Sequence, residues 1–212
     1  MLYKSSNLWL FLVLSLNFWA APLLPGDLAS EVFTDGLIAA TLVAALALQG
    51  YLHSQFRGWA IGAGLFVVAA VMMEEMLPDT RYVENASFAL CFAAVTVFYF
   101  NAMARTLREV TADTVFAAVC AYMLIGLFFA CVFGLVVEHN TAAFTPEGAA
   151  SAFFDQLYYS FATLTTLGAA DIVPVSQAAK LLTVFEAVIG LIYIAILVGA
   201  VVGAFSAGIV NR

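Results

Sequence analysis

The stretch Thr163–Pro174, TLTTLGAADIVP, decides how the rest of the chain is read. Three threonines lead to Gly168, and an acid, Asp171, and a proline, Pro174, close the segment. Before it runs AFFDQLYYSFATLTTL, apolar and aromatic but too short for a bilayer core, which takes about 20 residues per helix. After it comes Ala178–Ile209, near 48 Å long as a helix at about 1.5 Å per residue. That exceeds a hydrocarbon core of about 30 Å, so the helix should tilt and emerge on the far side. A short helix that enters and leaves on one face, then a long tilted one, is a re-entrant layout. Irregular backbone at membrane depth survives only where protein or a water-filled cavity satisfies it.

Composition agrees. The chain has 212 residues, 65% of them hydrophobic and 10% charged, with a mean hydropathy of +1.04. A soluble domain carries about 25% charged residues. Six candidate spans follow: Leu8–Leu24, Gly36–Leu52, Gly58–Leu77, Ala86–Met103, Thr114–Val137 and Ala178–Ile209. The runs are long and continuous, unlike the alternating strands of a barrel. The expected fold class is an all-α membrane protein with six transmembrane helices and a re-entrant segment between the fifth and sixth. Two units are expected, residues 1–110 as a four-helix membrane domain and 111–212 around the re-entrant segment. Cys91, Cys120 and Cys131 fall inside spans with no CxxC neighbour and read as packing residues.

Lysine and arginine favour the cytoplasmic side. With the N-terminus inside, Lys4, Arg57, Arg105, Arg108 and Arg212 all face the cytoplasm, and only Arg81 and Lys180 lie outside. The outer loops are acidic, with Asp27, Glu31, Asp35, Asp79 and Glu84. Both termini are expected inside. Residues 1–21 have two readings, a retained first helix or a signal peptide cleaved near Ala21; Phe18 and Trp19 crowd that cleavage region. The sequon Asn85-Ala86-Ser87 sits at an expected outer boundary and carries little weight.

FFDQLYYSFATLTTLGAADIVP, followed by FEAVIGLIYIAILVGAVVG, resembles the pore module of bacterial potassium-channel-like proteins. The resemblance covers roughly Asp155 to Gly203. It implies a homotetramer in a bacterial inner membrane, with four re-entrant loops around one axis. Thr166, Leu167 and Gly168 fall on the first three filter positions, Ala169 on the aromatic one and Ala170 on the second glycine. Thr165 precedes them; Asp171 and Pro174 match the closing residues. Asp155, Tyr159 and Thr163 belong to the pore helix, with Asp155 near its start as a cap or a complement to its dipole. Gly190 falls on the hinge of the pore-lining helix. The implied ligand is a permeating monovalent cation, K⁺ or Na⁺, at Thr166, Leu167 and Gly168.

The two alanines are the departure. Filter carbonyls that replace an ion's hydration shell need backbone of alternating hand, which is why glycines recur there. Gly168 can turn left-handed, whereas at Ala170 that turn costs about 1–2 kcal/mol. Ala169 lacks the aromatic ring that braces the filter in the family. Three outcomes stand: a widened, weakly selective cation pore, a strained but selective one, or a collapsed loop that does not conduct. Asp171 reads either as an acidic ring at the mouth, favouring cations, or as a buried partner for a pore-helix group.

The fourth span has no basic residue until Arg105, so steep voltage gating by it is not expected. The chain as read ends at Arg212, and the expected gate lies in membrane helices, lipid, pH or a separate regulatory subunit. Glu186, inside the last span, is a functional candidate. It hydrogen-bonds a pore-helix hydroxyl such as Thr163 or Thr165, or is a helix-start residue near the interface. Gly199 and Gly203 make a GxxxG spacing for close packing, or keep an inner mouth wide. Glu74 and Glu75 read as solvated, and His53 and His139 as no ligand pair. No nucleophile, phosphate loop, metal cluster or nucleic-acid signal is present in the sequence. The leading reading is a tetrameric cation channel with weak or altered K⁺ selectivity and no enzyme activity. The alternative is a non-conducting pseudo-channel or regulatory subunit that keeps the channel fold.

Overall fold

A 28-residue helix, Ala112–His139, forms the hub of the protein in the computed structural model, which describes residues 6–20, 81–106, 112–169 and 171–210. Five helices and a two-stranded ribbon occur among the described residues. In chain order they are α1 (Ser6–Ala20), α2 (Arg81–Thr106), α3 (Ala112–His139), β1 (Phe144–Thr145), α4 (Phe153–Leu164), β2 (Val173–Pro174) and α5 (Gln177–Val210). The expected spans at Gly36–Leu52 and Gly58–Leu77, and with them Glu74, Glu75 and His53, lie outside the described residues.

Two helices are long and apolar enough to cross a membrane, within Thr114–His139 and Gln177–Ala200. The apolar part of α2 is shorter, Asn85–Val97. α3 is apolar nearly all round and is accordingly buried on several sides, as such a helix must be to avoid water. Phe88, Phe92 and Val95 of α2 and Leu10 and Leu14 of α1 join Cys120, Leu124, Leu127 and Phe133 of α3 in one core. Cys91, Cys120 and Cys131 are buried in it and form no disulfide among the described residues. Asn85 faces Gly134 from within α2, and Ser87 is buried with its hydroxyl on the Val83 carbonyl, so the sequon is part of a packed helix.

α4 is short because its sequence is amphipathic, not apolar throughout. Gln156, Leu157, Tyr159, Ser160, Ala162, Thr163 and Leu164 are buried. Its N-cap, Ala152, has no side chain to offer. Asp155 serves from the first turn instead, where its carboxylate accepts the Ala152 N–H, half of a capping box. A bare Ser176 oxygen caps α5 by accepting the Ala179 N–H at 3.1 Å. Between these helices β1 and β2 pair antiparallel, Phe144 opposite Pro174 and Thr145 opposite Val173. The ribbon ties the segment that returns from α4 to the loop that follows α3.

Candidate functional site

The site is the C-terminal end of α4 and the loop Thr165–Asp171. Tyr159 fixes the helix from one side. Its ring stands edge-on to Phe133 (4.9 Å between centroids) and Phe144 (5.0 Å). Its hydroxyl lies 2.7 Å from Thr183 Oγ1 on α5. Since the Thr183 hydroxyl already donates to the Ala179 carbonyl, Tyr159 is the donor of that pair.

The end of α4 is held by contacts that sequence reasoning missed. The Tyr122 hydroxyl of α3 donates to the Leu164 carbonyl at 2.9 Å. Tyr122 in turn stacks on Tyr193 of α5 at 5.4 Å, and the Tyr193 hydroxyl donates to the Ala118 carbonyl at 2.6 Å. Gly190 lies directly under Leu164: a Cβ there would collide with the Leu164 carbonyl oxygen. α5 runs unbroken through Gly190 from Gln177 to Val210. The glycine expected as a bend point is therefore, in this chain, a point of close approach. Gly126 of α3 plays the same part for the Phe161 ring. Gly199 has open space where a Cβ would point, among the described residues. Gly203 continues the helix.

Glu186 is fully buried, which removes the reading of an interfacial helix-start residue. It meets a hydroxyl of the short helix, as expected, but that hydroxyl is Ser160 and not Thr163 or Thr165. Ser160 Oγ lies 2.5 Å from Glu186 Oε1 and 2.8 Å from the Gly126 carbonyl oxygen. The Thr165 hydroxyl instead donates to the Phe161 carbonyl at 2.6 Å, and Thr163 is buried beside Tyr159, which it hydrogen-bonds. Ser160 is one turn earlier than Thr163 on the same face of α4. The three-residue helical spacing could have offered it as a candidate.

After Leu164 the chain turns sharply. Thr166 N–H donates to the Thr163 carbonyl at 3.0 Å and Gly168 N–H to the Ala162 carbonyl at 2.9 Å. Thr166 has φ +60° and Gly168 φ +80°, so left-handed residues alternate along the loop. For Gly168 this costs nothing; for β-branched Thr166 it stores strain of about 1–2 kcal/mol. Leu167 between them is 77% exposed. Ala169 is half-buried against the core, and Ala170 lies outside the described residues.

Asp171 is exposed and accepts a hydrogen bond from the Tyr158 hydroxyl, which raises the phenol above its ordinary range. Asp155 is also raised, by burial first and by the nearby Asp171 charge, against the opposing Ala152 N–H. Behind the loop lies an open cavity of about 330 Å³, bordered by Tyr159, Thr163, Thr166, Ala169, Thr183 and Ala187. No cluster of His, Cys, Asp and Glu suited to a metal ion occurs among the described residues.

Residues 119–207 match the ion channel family model. The match begins within α3, takes in α4 and the loop, and ends within α5. No curated protein and no solved structure matches the chain.

Proposed function

We propose that the chain is the pore-forming subunit of a homotetrameric cation channel with weak or altered K⁺ selectivity. The observation that carries this is the left-handed alternation at Thr166 and Gly168 directly after a short buried helix, inside the stretch similar to ion channels. Alternating hand turns successive carbonyls to one side, the arrangement that can replace a cation's hydration shell. The α4 C-terminus adds a partial negative charge beside the loop, which favours cations over anions. Thr166, Leu167 and Gly168 then form the inner cation sites. The exposed Asp171 carboxylates ring the mouth.

In this reading residues 111–212 build the pore and 1–110 a four-helix membrane domain, six crossings in all. Both termini face the cytoplasm of a bacterial inner membrane. α2, the fourth crossing, has no Lys or Arg between Tyr82 and Ala104 and supplies no voltage sensor. A second reading, a non-conducting relative, draws on the open cavity beside Ala169, where the family's aromatic brace is missing.

Flux through the purified chain in liposomes under K⁺, Na⁺ and choline gradients separates the two. The channel passes K⁺ and Na⁺ but not choline, and Ala169→Tyr/Ala170→Gly sharpens it toward K⁺. A silent native chain beside a conducting double variant establishes the non-conducting relative.

A further inference from the structure

Where α3, α4 and α5 meet behind the loop, three oxygens sit in a row: the Gly126 carbonyl, Ser160 Oγ and Glu186 Oε1. Ser160 and Glu186 are both completely buried, and among the described residues Glu186 Oε2 has no hydrogen-bond partner. Each contact in the row is of hydrogen-bond length; two well-directed bonds need two protons, since one proton shared between both acceptors points squarely at neither. Ser160 has one hydroxyl proton, and the Gly126 carbonyl can only accept. The second proton has one remaining source, the carboxyl group.

From this inventory we infer that Glu186 carries a proton in the folded protein and acts as a positioning residue that pins the pore helix between α3 and α5. The neutral carboxyl donates to Ser160 Oγ, and Ser160 donates to the Gly126 carbonyl. All three helices are then joined through one chain of donors. The ionised alternative fails on two counts. Ser160 would have to turn its proton to Glu186, leaving lone pairs facing each other across 2.8 Å at Gly126. Oε2 would become a buried anionic oxygen with no donor, which costs several kcal/mol.

The surroundings offer no compensation. Tyr122 from α3 and Tyr159 from α4 are the titratable groups whose charge interacts with Glu186, and both are neutral phenols committed to Leu164 and Thr183. Among the described residues no cation acts on it. Removing the proton therefore leaves a charge that only water entry or movement of α4 away from α3 can relieve. α4 carries the loop, so the same proton sets the loop's position. On the channel reading above, conduction falls as pH rises.

Infrared spectra of the full chain in lipid test the proton without reference to conduction. The spectrum of the native chain minus that of Glu186→Gln should contain a carboxylic-acid C=O band that shifts in D₂O. Ser160→Ala, which keeps the carboxyl but removes its acceptor, should move that band to higher frequency. A difference spectrum with only carboxylate bands overturns the inference. So does a thermal midpoint that declines equally with alkaline pH in the native chain and Glu186→Gln, since the tyrosines are common to both. If the acid band is present and the midpoints separate while neither protein passes cations, the proton stands and the channel reading falls.

Discussion

The short helix α4 and the loop it feeds are neighbours in sequence and opposites in how they are held. From Gln156 to Leu164, seven residues of α4 are buried, and its polar groups reach α3 at Gly126 and Tyr122 and α5 at Thr183 and Glu186. From Thr165 to Gly168 every residue is exposed, with Leu167 the most apolar and the most open. The helix is held by contacts to α3 and α5 within the chain. The loop has a defined backbone and, among the described residues, exposed side chains from Thr165 to Leu167. Damage to the helix seat should therefore register in the stability of the chain. Damage to the loop should register far less there.

The strongest test of that contrast is Gly190→Val. A side chain at Gly190 has no room, because the obstacle is the Leu164 backbone carbonyl and not a flexible side chain. Overpacking of this kind costs about 1–3 kcal/mol even where neighbours can shift. We expect a clear fall in the thermal midpoint in detergent and, on the channel reading, complete loss of flux. Leu167→Ala is the counterpart in the loop, expected to move the same midpoint by less than about 0.5 kcal/mol equivalent. Equal losses from both changes would erase the distinction between seat and loop.

A milder change sharpens it. Tyr122→Phe keeps the ring stacked on Tyr193 but deletes the donor to the Leu164 carbonyl. The expected cost is about 0.5–1.5 kcal/mol, read as a lower midpoint in thermal unfolding. Added to Gly190→Val it should do little more, because both act on the same carbonyl and such neighbours are not additive.

How much of this was readable in advance follows the same division. The short helix, the turn at Gly168 and the long last helix stand out in sequence because length and glycine placement constrain them directly. Expected edges lie close to the observed ones, as with Ala178–Ile209 against Gln177–Val210. The antiparallel ribbon at Phe144–Thr145 was not legible, since two-residue strands leave no periodic pattern. Glu186 stood out as an ionisable residue in an apolar run, but its partner did not. Ser160 and Thr163 are hydroxyls on one short helix and Thr165 is its C-cap, and choosing among them needs the rotation of α4 about its axis. Gly190 was legible as special, but not in its use. A glycine in a membrane helix reads alike whether the helix bends there or another backbone lies against it.

The smallest expected effect lies where helix and loop touch electrostatically, at Asp155. Burial and the charge of Asp171 raise this carboxyl, and the Ala152 N–H offsets only part of that. A raised value means that the folded chain binds the proton more tightly than the unfolded chain does. Below the ordinary aspartate value of about 3.9 both forms are protonated and nothing is lost. As pH climbs past it, the unfolded chain ionises first and the fold loses stability, until Asp155 itself has ionised and the loss levels off. Asp155→Asn removes that loss while its side-chain oxygen can still accept the Ala152 N–H. The variant should match the native midpoint in acid and exceed it modestly at neutral pH. If the order is reversed, with Asn less stable at neutral pH, the interaction of the carboxylate with the helix N-terminus outweighs the charge from the loop. The loop's charge would then be the weaker of the two influences on the helix start.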